Sequence, residues 1–327
     1  MTTLDTSAPL ATLLRLSTAS AHDAASNSQG AGWLTRGELD REEYIRFLMM
    51  LYHIYDVFER ALDENATHPV LQPTYNPLLL ARAASLATDI ATLLQTPQAQ
   101  WQTHPIHVEL MAAPPLPFTQ YLARLRLIVA AGPADAQRLL AHSYVRYLGD
   151  LSGGQFVKRV LAKVYGLENG DGLSFYEFRQ LGGNGSATIG DMKKIKEWFR
   201  EGMNAGAGDD QAVKLAIADE AKIAFDLNRA LFTILRPPTN ILDVSLSPAS
   251  PPLGEPSTPS EDSPLQAQRD ASATPTYRVA TVLAVIAALS LSHFLLVVNG
   301  LTGEKGATKL EAVQHWFANA FASLSSA

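Results

Sequence analysis

The chain has 327 residues, 47% of them hydrophobic, with a formal net charge of −6. That length suits one large or two ordinary domains with a sizeable core, and the mild acidity argues against a nucleic-acid partner, which favours a basic stripe. No cysteine is present, which excludes disulfides, zinc fingers, thiolate ligation of iron and thiol switching.

In chain order, the opening residues MTTLDTSAPLATLL lack a basic region followed by a long apolar run, so no secretory signal is expected. An amphipathic segment, LLRLSTASAHDAAS, contains His22. Asp40-Arg-Glu-Glu43 resembles a capping box and opens an apolar stripe of Tyr44, Phe47, Leu48, Leu51, Tyr55, Phe58 and Leu62. Pro69, Pro73 and Pro77 close that element. Leu78–Leu94 and Phe118–Val129 read as further helices, the second entered through a Pro-rich connection at 114–117. Gly132-Pro133 interrupts the pattern, and Ala134–Tyr165 reads as one long helix containing glycines. Leu181–Gly190 is a Gly-rich loop, followed by helices Asp191–Asn204 and Asp209–Leu235. No alternating pattern long enough for a sheet and no internal repeat occurs, so residues 1–235 are expected to form an all-α, multi-helix domain.

Residues 236–277 hold nine of the nineteen prolines and seven serines, with almost no aromatics; such a segment buries no core and reads as a disordered linker. Val279–Val298 then gives twenty residues without Asp, Glu, Lys or Arg. At about 1.5 Å per residue this spans roughly 30 Å, one hydrocarbon thickness, so 278–299 is expected to be a transmembrane anchor. Residues 300–327 contain Thr308-x-x-Glu311 followed by Leu310, Val313, Trp316, Phe317 and Phe321, the pattern of a capped amphipathic helix at the far interface. With 29 residues after the span, insertion is expected to follow synthesis, as in tail-anchored proteins. Arg278 and the bulk of the chain on the N-terminal side agree with a cytosolic globule.

The string HSYVRYLGDLSGGQFVK, residues 142–158, is aromatic and helical in period yet contains Gly149, Gly153 and Gly154. Each glycine inside a helix costs roughly 1 kcal/mol relative to alanine. A helix face without Cβ atoms lets backbone lie close to a flat, bulky ligand. Arg146, Asp150 and Gly154 stand four apart on one stripe, as do Gly149 and Gly153. Close helix crossing is the other reason for such glycines.

The string from Tyr144 to Gln155 resembles the distal-helix signature of the haem oxygenases. LYHIY at 51–55, His22, Phe199-Arg200 with Met203-Asn204, and Glu220-Ala221-Lys222 with Ala224-Phe225 and Asn228 are similar to other blocks of that family, in order over residues 10–235. The resemblance implies that His22 ligates the haem iron, and that Gly149 and Gly153 pack against the opposite haem face. It implies that Asp150 delivers a proton through ordered water, supported by Arg146, Tyr55 and Asn228. Arg15, Lys196, Arg200 and Tyr144 match contacts to the haem propionates or pocket, Gly154 completes the bare face, and Phe225 is similar to a pocket wall. Two positions depart from the family: Ser26 replaces a glutamate that orients the ligand imidazole, and Ala19 replaces a basic residue. His53 and His142 are read as packing residues.

No phosphate loop, flavin motif or Ser/His/Asp order is present, so electrons must come from another protein; the resemblance implies NADPH–cytochrome P450 reductase, on the endoplasmic reticulum membrane. The expected activity is oxidation of haem by O2 to biliverdin, carbon monoxide and ferrous iron, haem b being both substrate and cofactor. A haem-binding sensor or carrier on the same fold is the alternative that Ser26 and Ala19 keep open, and a membrane-tethered scaffold without haem is a second.

Overall fold

The structure is a computed structural model that describes residues 5–167 and 169–239. The linker beyond residue 239, the expected membrane span and the amphipathic tail lie outside the described residues. Thirteen α-helices are described: α1 Leu10–Ser17, α2 Ala19–Ser26, α3 Gln29–Arg36, α4 Arg41–Glu64, α5 Pro77–Leu80, α6 Ala83–Leu94, α7 Pro105–Ala112, α8 Leu116–Ala130, α9 Pro133–Ala136, α10 Leu139–Asp150, α11 Gly153–Val164, α12 Ile189–Ala207 and α13 Gln211–Thr233. Among the described residues there is no strand, only an isolated antiparallel bridge between Arg179 and Ser186 in the Gly-rich loop. The all-α expectation holds.

The core forms where the apolar stripes of α4, α8, α10 and α13 meet. Tyr44, Leu48, Tyr55 and Phe58 of α4 are fully enclosed, as are Tyr121 and Leu125 of α8 and Leu139 and Leu140 of α10. α4 packs on α6 and α8, and α13 packs on α10, α2, α8 and α1. Both ends of the described region are pinned by buried charge. Lys214 donates to the carbonyls of Thr6 and Ala8, at 3.2 and 3.1 Å. Glu43, only 4% exposed, takes two hydrogen bonds from Arg46 and one from the Arg236 backbone N–H.

Four expectations change. The long helix expected over Ala134–Tyr165 is three helices, interrupted after Ala136 and again at Leu151–Ser152. The second break follows from Ser152, whose φ of −120° and ψ of −87° leave the helical region. The Gln155 amide spans it, donating to the carbonyls of Asp150 and Tyr176. The helix expected over Leu78–Leu94 breaks at Ala81–Arg82, because the Glu59 carboxylate takes the N–H groups of Arg82 and Ala83 that open α6. The capping box expected at Asp40 does not form; Asp40 instead receives the Thr239 N–H and hydroxyl, and Glu43 is the buried clamp just described. A capping box does form at the start of α12, between Thr188 and Asp191. Lastly, the N-terminal amphipathic segment is two helices, α1 and α2, parted at Thr18, whose hydroxyl turns back onto the Leu14 carbonyl.

Gly30 shows how tightly α3 and α13 cross: a Cβ there would overlap the backbone carbonyl of Phe232. Gly30→Ala should therefore destabilise the protein by about 1–3 kcal/mol through overpacking against backbone that cannot move aside. Urea denaturation checks it, and a midpoint equal to the parent's would contradict this crossing.

Candidate active site

The site is assembled by α2, α4, α10, α11 and α13. On one side, His22 stands on α2 with its side chain 63% exposed and its edge toward the Phe225 ring of α13, centroids 6.0 Å apart. Phe225 also meets Tyr144 of α10, edge to face at 6.4 Å. With Ala21, Val145 and Ala224 these residues form a small apolar cluster separate from the main core, joining α2, α10 and α13. The His22 Nδ1 lies 3.4 Å from the exposed Asp23 carboxylate, Ser26 makes no hydrogen bond to the ring among the described residues, and Nε2 has no partner there.

The helix break decides the geometry of the glycines. Gly149 closes the last turn of α10 and Gly153 opens α11. A Cβ at either would meet nothing within 4 Å. Gly154 differs: its Cβ would stand 3.2 Å from the Tyr176 ring, so this glycine serves internal packing. The single stripe of Arg146, Asp150 and Gly154 expected from spacing ends at Asp150, because the helix ends there.

Behind this bare surface lies a network of buried polar groups. The Tyr55 hydroxyl, on α4, donates to Asp150 Oδ2 at 2.5 Å. Burial pushes the Asp150 carboxyl up to about 7, against the opposing pull of the Tyr55 hydrogen bond and the Arg146 and Arg82 charges. Burial likewise raises Tyr55, keeping its phenol protonated. Arg146, 8% exposed, does not pair directly with Asp150. Its guanidinium lies over the rings of Tyr55 and Tyr121 at 5.6 and 5.0 Å, and its Nε donates to the Tyr121 hydroxyl at 3.2 Å. Its Nη2 is buried with no partner among the described residues. Asn228 stands on α13 one turn past Phe225 and makes no hydrogen bond to Asp150 among the described residues.

Two participants escape sequence reasoning. Glu59 follows Tyr55 by one turn on α4, and burial raises its carboxyl to about 7 although it accepts two backbone N–H bonds. Spacing of four from Tyr55 was the available signal. Tyr121, which holds Arg146, carries no local signal, since an aromatic on the buried stripe of α8 reads as core.

The cations divide by environment. Lys193 lies 3.8 Å from Glu197 and Lys194 lies 3.5 Å from Asp191, both within α12. Lys196 and Arg200 have no ion-pair partner among the described residues, and neither has Arg15, in the last turn of α1, which packs on α12. His53 and His142 are internal, paired with His107 at 2.9 Å and with Glu220 at 3.1 Å, as the packing reading expects. No cluster of three metal-ligating side chains occurs among the described residues, and His22 is a single exposed imidazole, the donor set suited to an ion that brings other ligands of its own. A porphyrin meets that requirement. An exposed imidazole, side-chain-free backbone and an orphaned guanidinium N–H fit it.

The pH dependence of stability reports on Asp150. In the unfolded chain this carboxyl titrates near 3.8 and in the folded chain near 7. The folded state thus binds the proton more tightly, and the associated stability is fully present below about 4 and is lost as pH rises to about 7. Asp150→Asn, which cannot ionise, should raise the melting temperature more at pH 8 than at pH 5. An equal gain at both would mean that the carboxyl stays in water. Gly149→Ala should leave the ligand-free protein at least as stable as the parent, by up to about 1 kcal/mol, in contrast to Gly30→Ala, and denaturation of the two side by side checks the difference.

The family profile described as Heme oxygenase matches residues 8–234. Heme oxygenase 1 of Bos taurus is 35% identical over 239 residues, covering 71% of this chain and 74% of that one. Heme oxygenase 1 of Homo sapiens is 32% identical over 229 residues, 69% of this chain and 72% of that one. Among solved structures, heme oxygenase-2 from Synechocystis in complex with heme and NO superposes with a TM-score of 0.61 at 30% identity, covering 73% of this chain and 88% of that one. Heme oxygenase from Leptospira interrogans gives 0.58 at 32% identity, covering 69% and 99%. The chain belongs to the haem oxygenase family of enzymes.

Proposed function

We propose that the protein binds haem between α2 and the α10–α11 break and cleaves it to biliverdin, carbon monoxide and ferrous iron. The observation that carries this reading is the open, Cβ-free surface at Gly149 and Gly153 beside a desolvated Tyr55–Asp150 pair. Bound haem supplies an iron that takes dioxygen and a porphyrin edge that is oxidised. The residues of the chain do the rest. His22 would hold the iron, its Nδ1 lying 3.4 Å from the Asp23 carboxylate. Gly149 and Gly153 would let helix backbone lie close against the flat porphyrin. Asp150, with its carboxyl near neutrality, can hold or release a proton at physiological pH and pass it through water to the open face. Arg146, whose guanidinium lies over the Tyr55 ring, would support the Tyr55–Asp150 pair, with Asn228 of α13 and Tyr144 of α10 as further pocket residues suggested by the family likeness. Arg15, Lys196 and Arg200 are cations unspent within the described chain, suited to the two propionates, and Phe225 walls the pocket beside the imidazole.

Electrons must be delivered by a partner, and NADPH–cytochrome P450 reductase is the donor that the family likeness suggests. The uncharged stretch Val279–Val298 supports a C-terminal anchor with the enzyme on the cytosolic side of the endoplasmic reticulum, where a shared membrane would raise the donor's effective concentration.

His22→Ala should abolish the axial imidazole signature of the hemin complex, and an unchanged coordination spectrum would refute the ligand assignment. Asp150→Ala should retain hemin binding and lose at least about tenfold in biliverdin yield, the scale of a lost proton-transfer group; a parental yield would remove Asp150 from its role. Deleting residues 279–298 should release the protein from membranes in alkaline carbonate without altering hemin binding, and retention in the pellet would overturn the anchor.

A further inference from the structure

Arg146 is held by more than its neighbour. Tyr121 on α8, His142 and Arg146 on α10, and Glu220 on α13 are joined in one buried series. Tyr121, His142 and Glu220 are each 0% exposed. The Arg146 Nε–H donates to the Tyr121 hydroxyl at 3.2 Å, the Tyr121 hydroxyl lies 3.4 Å from His142 Nδ1, and His142 Nε2 lies 3.1 Å from Glu220 Oε1. Beyond Glu220 stands Arg124, whose guanidinium grips both carboxylate oxygens, and Arg138 lies 3.9 Å away.

Proton inventory fixes the direction of every bond in this series. Burial pushes Glu220 up, but the hydrogen bonds from Arg124 and His142 outweigh it and leave the carboxyl at about 2, ionised. An ionised carboxylate only accepts, so His142 must present Nε2–H to it. Burial lowers His142 despite the opposing pull of Glu220, which favours the neutral ring, whose Nδ1 then carries a lone pair toward the Tyr121 hydroxyl 3.4 Å away. The Tyr121 hydroxyl therefore donates to Nδ1, which turns its oxygen lone pairs toward Arg146. A guanidinium cannot accept a hydrogen bond; a Tyr121 hydroxyl aimed the other way would meet Arg146 hydrogen to hydrogen.

We propose that Tyr121, His142 and Glu220 form a one-directional positioning relay that locks the Arg146 guanidinium across the Tyr55 ring, where its Nη2 stays buried and without a partner among the described residues. His142 is thus more than core packing, and a surface-linked ion pair on α8 and α13 sets the orientation of a buried site cation about four bonded groups away. The relay rests on and deepens the haem-cleavage reading, since Arg146 lies over the ring of Tyr55, the donor to Asp150, but its geometry belongs to the ligand-free chain.

The test separates the two. In the ligand-free full chain in detergent, nitrogen NMR at neutral pH should find His142 protonated at Nε2 and bare at Nδ1, and the Arg146 Nε–H protected from solvent exchange. Tyr121→Phe and His142→Leu should each speed that exchange about tenfold, as expected for one lost buried hydrogen bond, and the double variant should go no further than either alone. His142→Gln, which keeps an amide able to reach Glu220, should fall between. With hemin and reductase, both single variants should lower kcat about tenfold while the hemin Kd and the KM stay within twofold. A proton on Nδ1, parental Arg146 exchange in His142→Leu, or multiplying effects in the double variant would overturn the relay. If His142→Leu does not fold, Tyr121→Phe, which deletes a single oxygen atom, decides through the same exchange rate. Absence of biliverdin from the parent would defeat the haem reading alone, because the NMR outcomes do not involve haem.

Discussion

Asp150 ends α10 half-buried, with its carboxyl against the Tyr55 hydroxyl at 2.5 Å, and the surrounding polar groups are arranged around that acid. Burial alone would make a carboxyl inert, while full hydration would leave it ionised at every physiological pH. The Tyr55 hydrogen bond and the nearby charges of Arg82 and Arg146 offset part of the burial and bring the group to about 7. Such a value suits a residue that must both hold and surrender a proton. Glu59, one turn further along α4 and seated on the N-terminus of α6, is balanced at about the same value by a different set of donors. The break before α6 and the break after α10 are both places where backbone polar groups serve this network in place of a continuous helix.

The glycines separate by what stands opposite them. Gly30 admits the backbone of another helix of the same chain, and Gly154 admits the Tyr176 ring. Gly149 and Gly153 face nothing that the described chain provides. All carry a similar helix cost, so propensity cannot tell them apart. Only the last two leave a surface whose want of side chains is unused internally, and that is the physical basis for seating a flat ligand there. The basic residues of α12 divide in the same way: Lys193 and Lys194 are engaged within the helix, while Lys196 and Arg200 are left for something else.

Behind the pocket, polar groups that would be liabilities in an apolar core are mutually satisfied. His142, Tyr121 and Glu220 with its partner Arg124 could be replaced together by apolar residues of similar size at little expected cost, whereas replacing one alone strands the others; they form one continuous series ending at Arg146. Buried polar series of this kind specify orientation more than they stabilise. The Arg146 Nη2 at its end is the one buried guanidinium atom without a partner among the described residues.

Sequence alone determined the all-helical class, because 3.6-residue periodicity runs through α4, α8, α10 and α13 without an alternating stretch. It also pointed to the family, and it singled out His22, Asp150, Arg146 and Tyr55 as candidates because they sit in a contiguous motif or in blocks at the expected distance from it. What it could not reach depends on contacts distant along the chain. The break between Asp150 and Gly153 is bridged by Gln155 reaching the Tyr176 carbonyl; the break before α6 is made by Glu59, more than twenty residues earlier. The capping box expected at Asp40 lost its acid to the returning C-terminal segment. The Asp23 carboxylate near His22, and the Tyr121–His142–Glu220 series across three helices, follow from rotamers and helix crossings. Periodicity encodes which face of a helix is apolar, a local property, whereas protonation and hydrogen-bond direction depend on which groups share a dry space, and only tertiary packing creates that space.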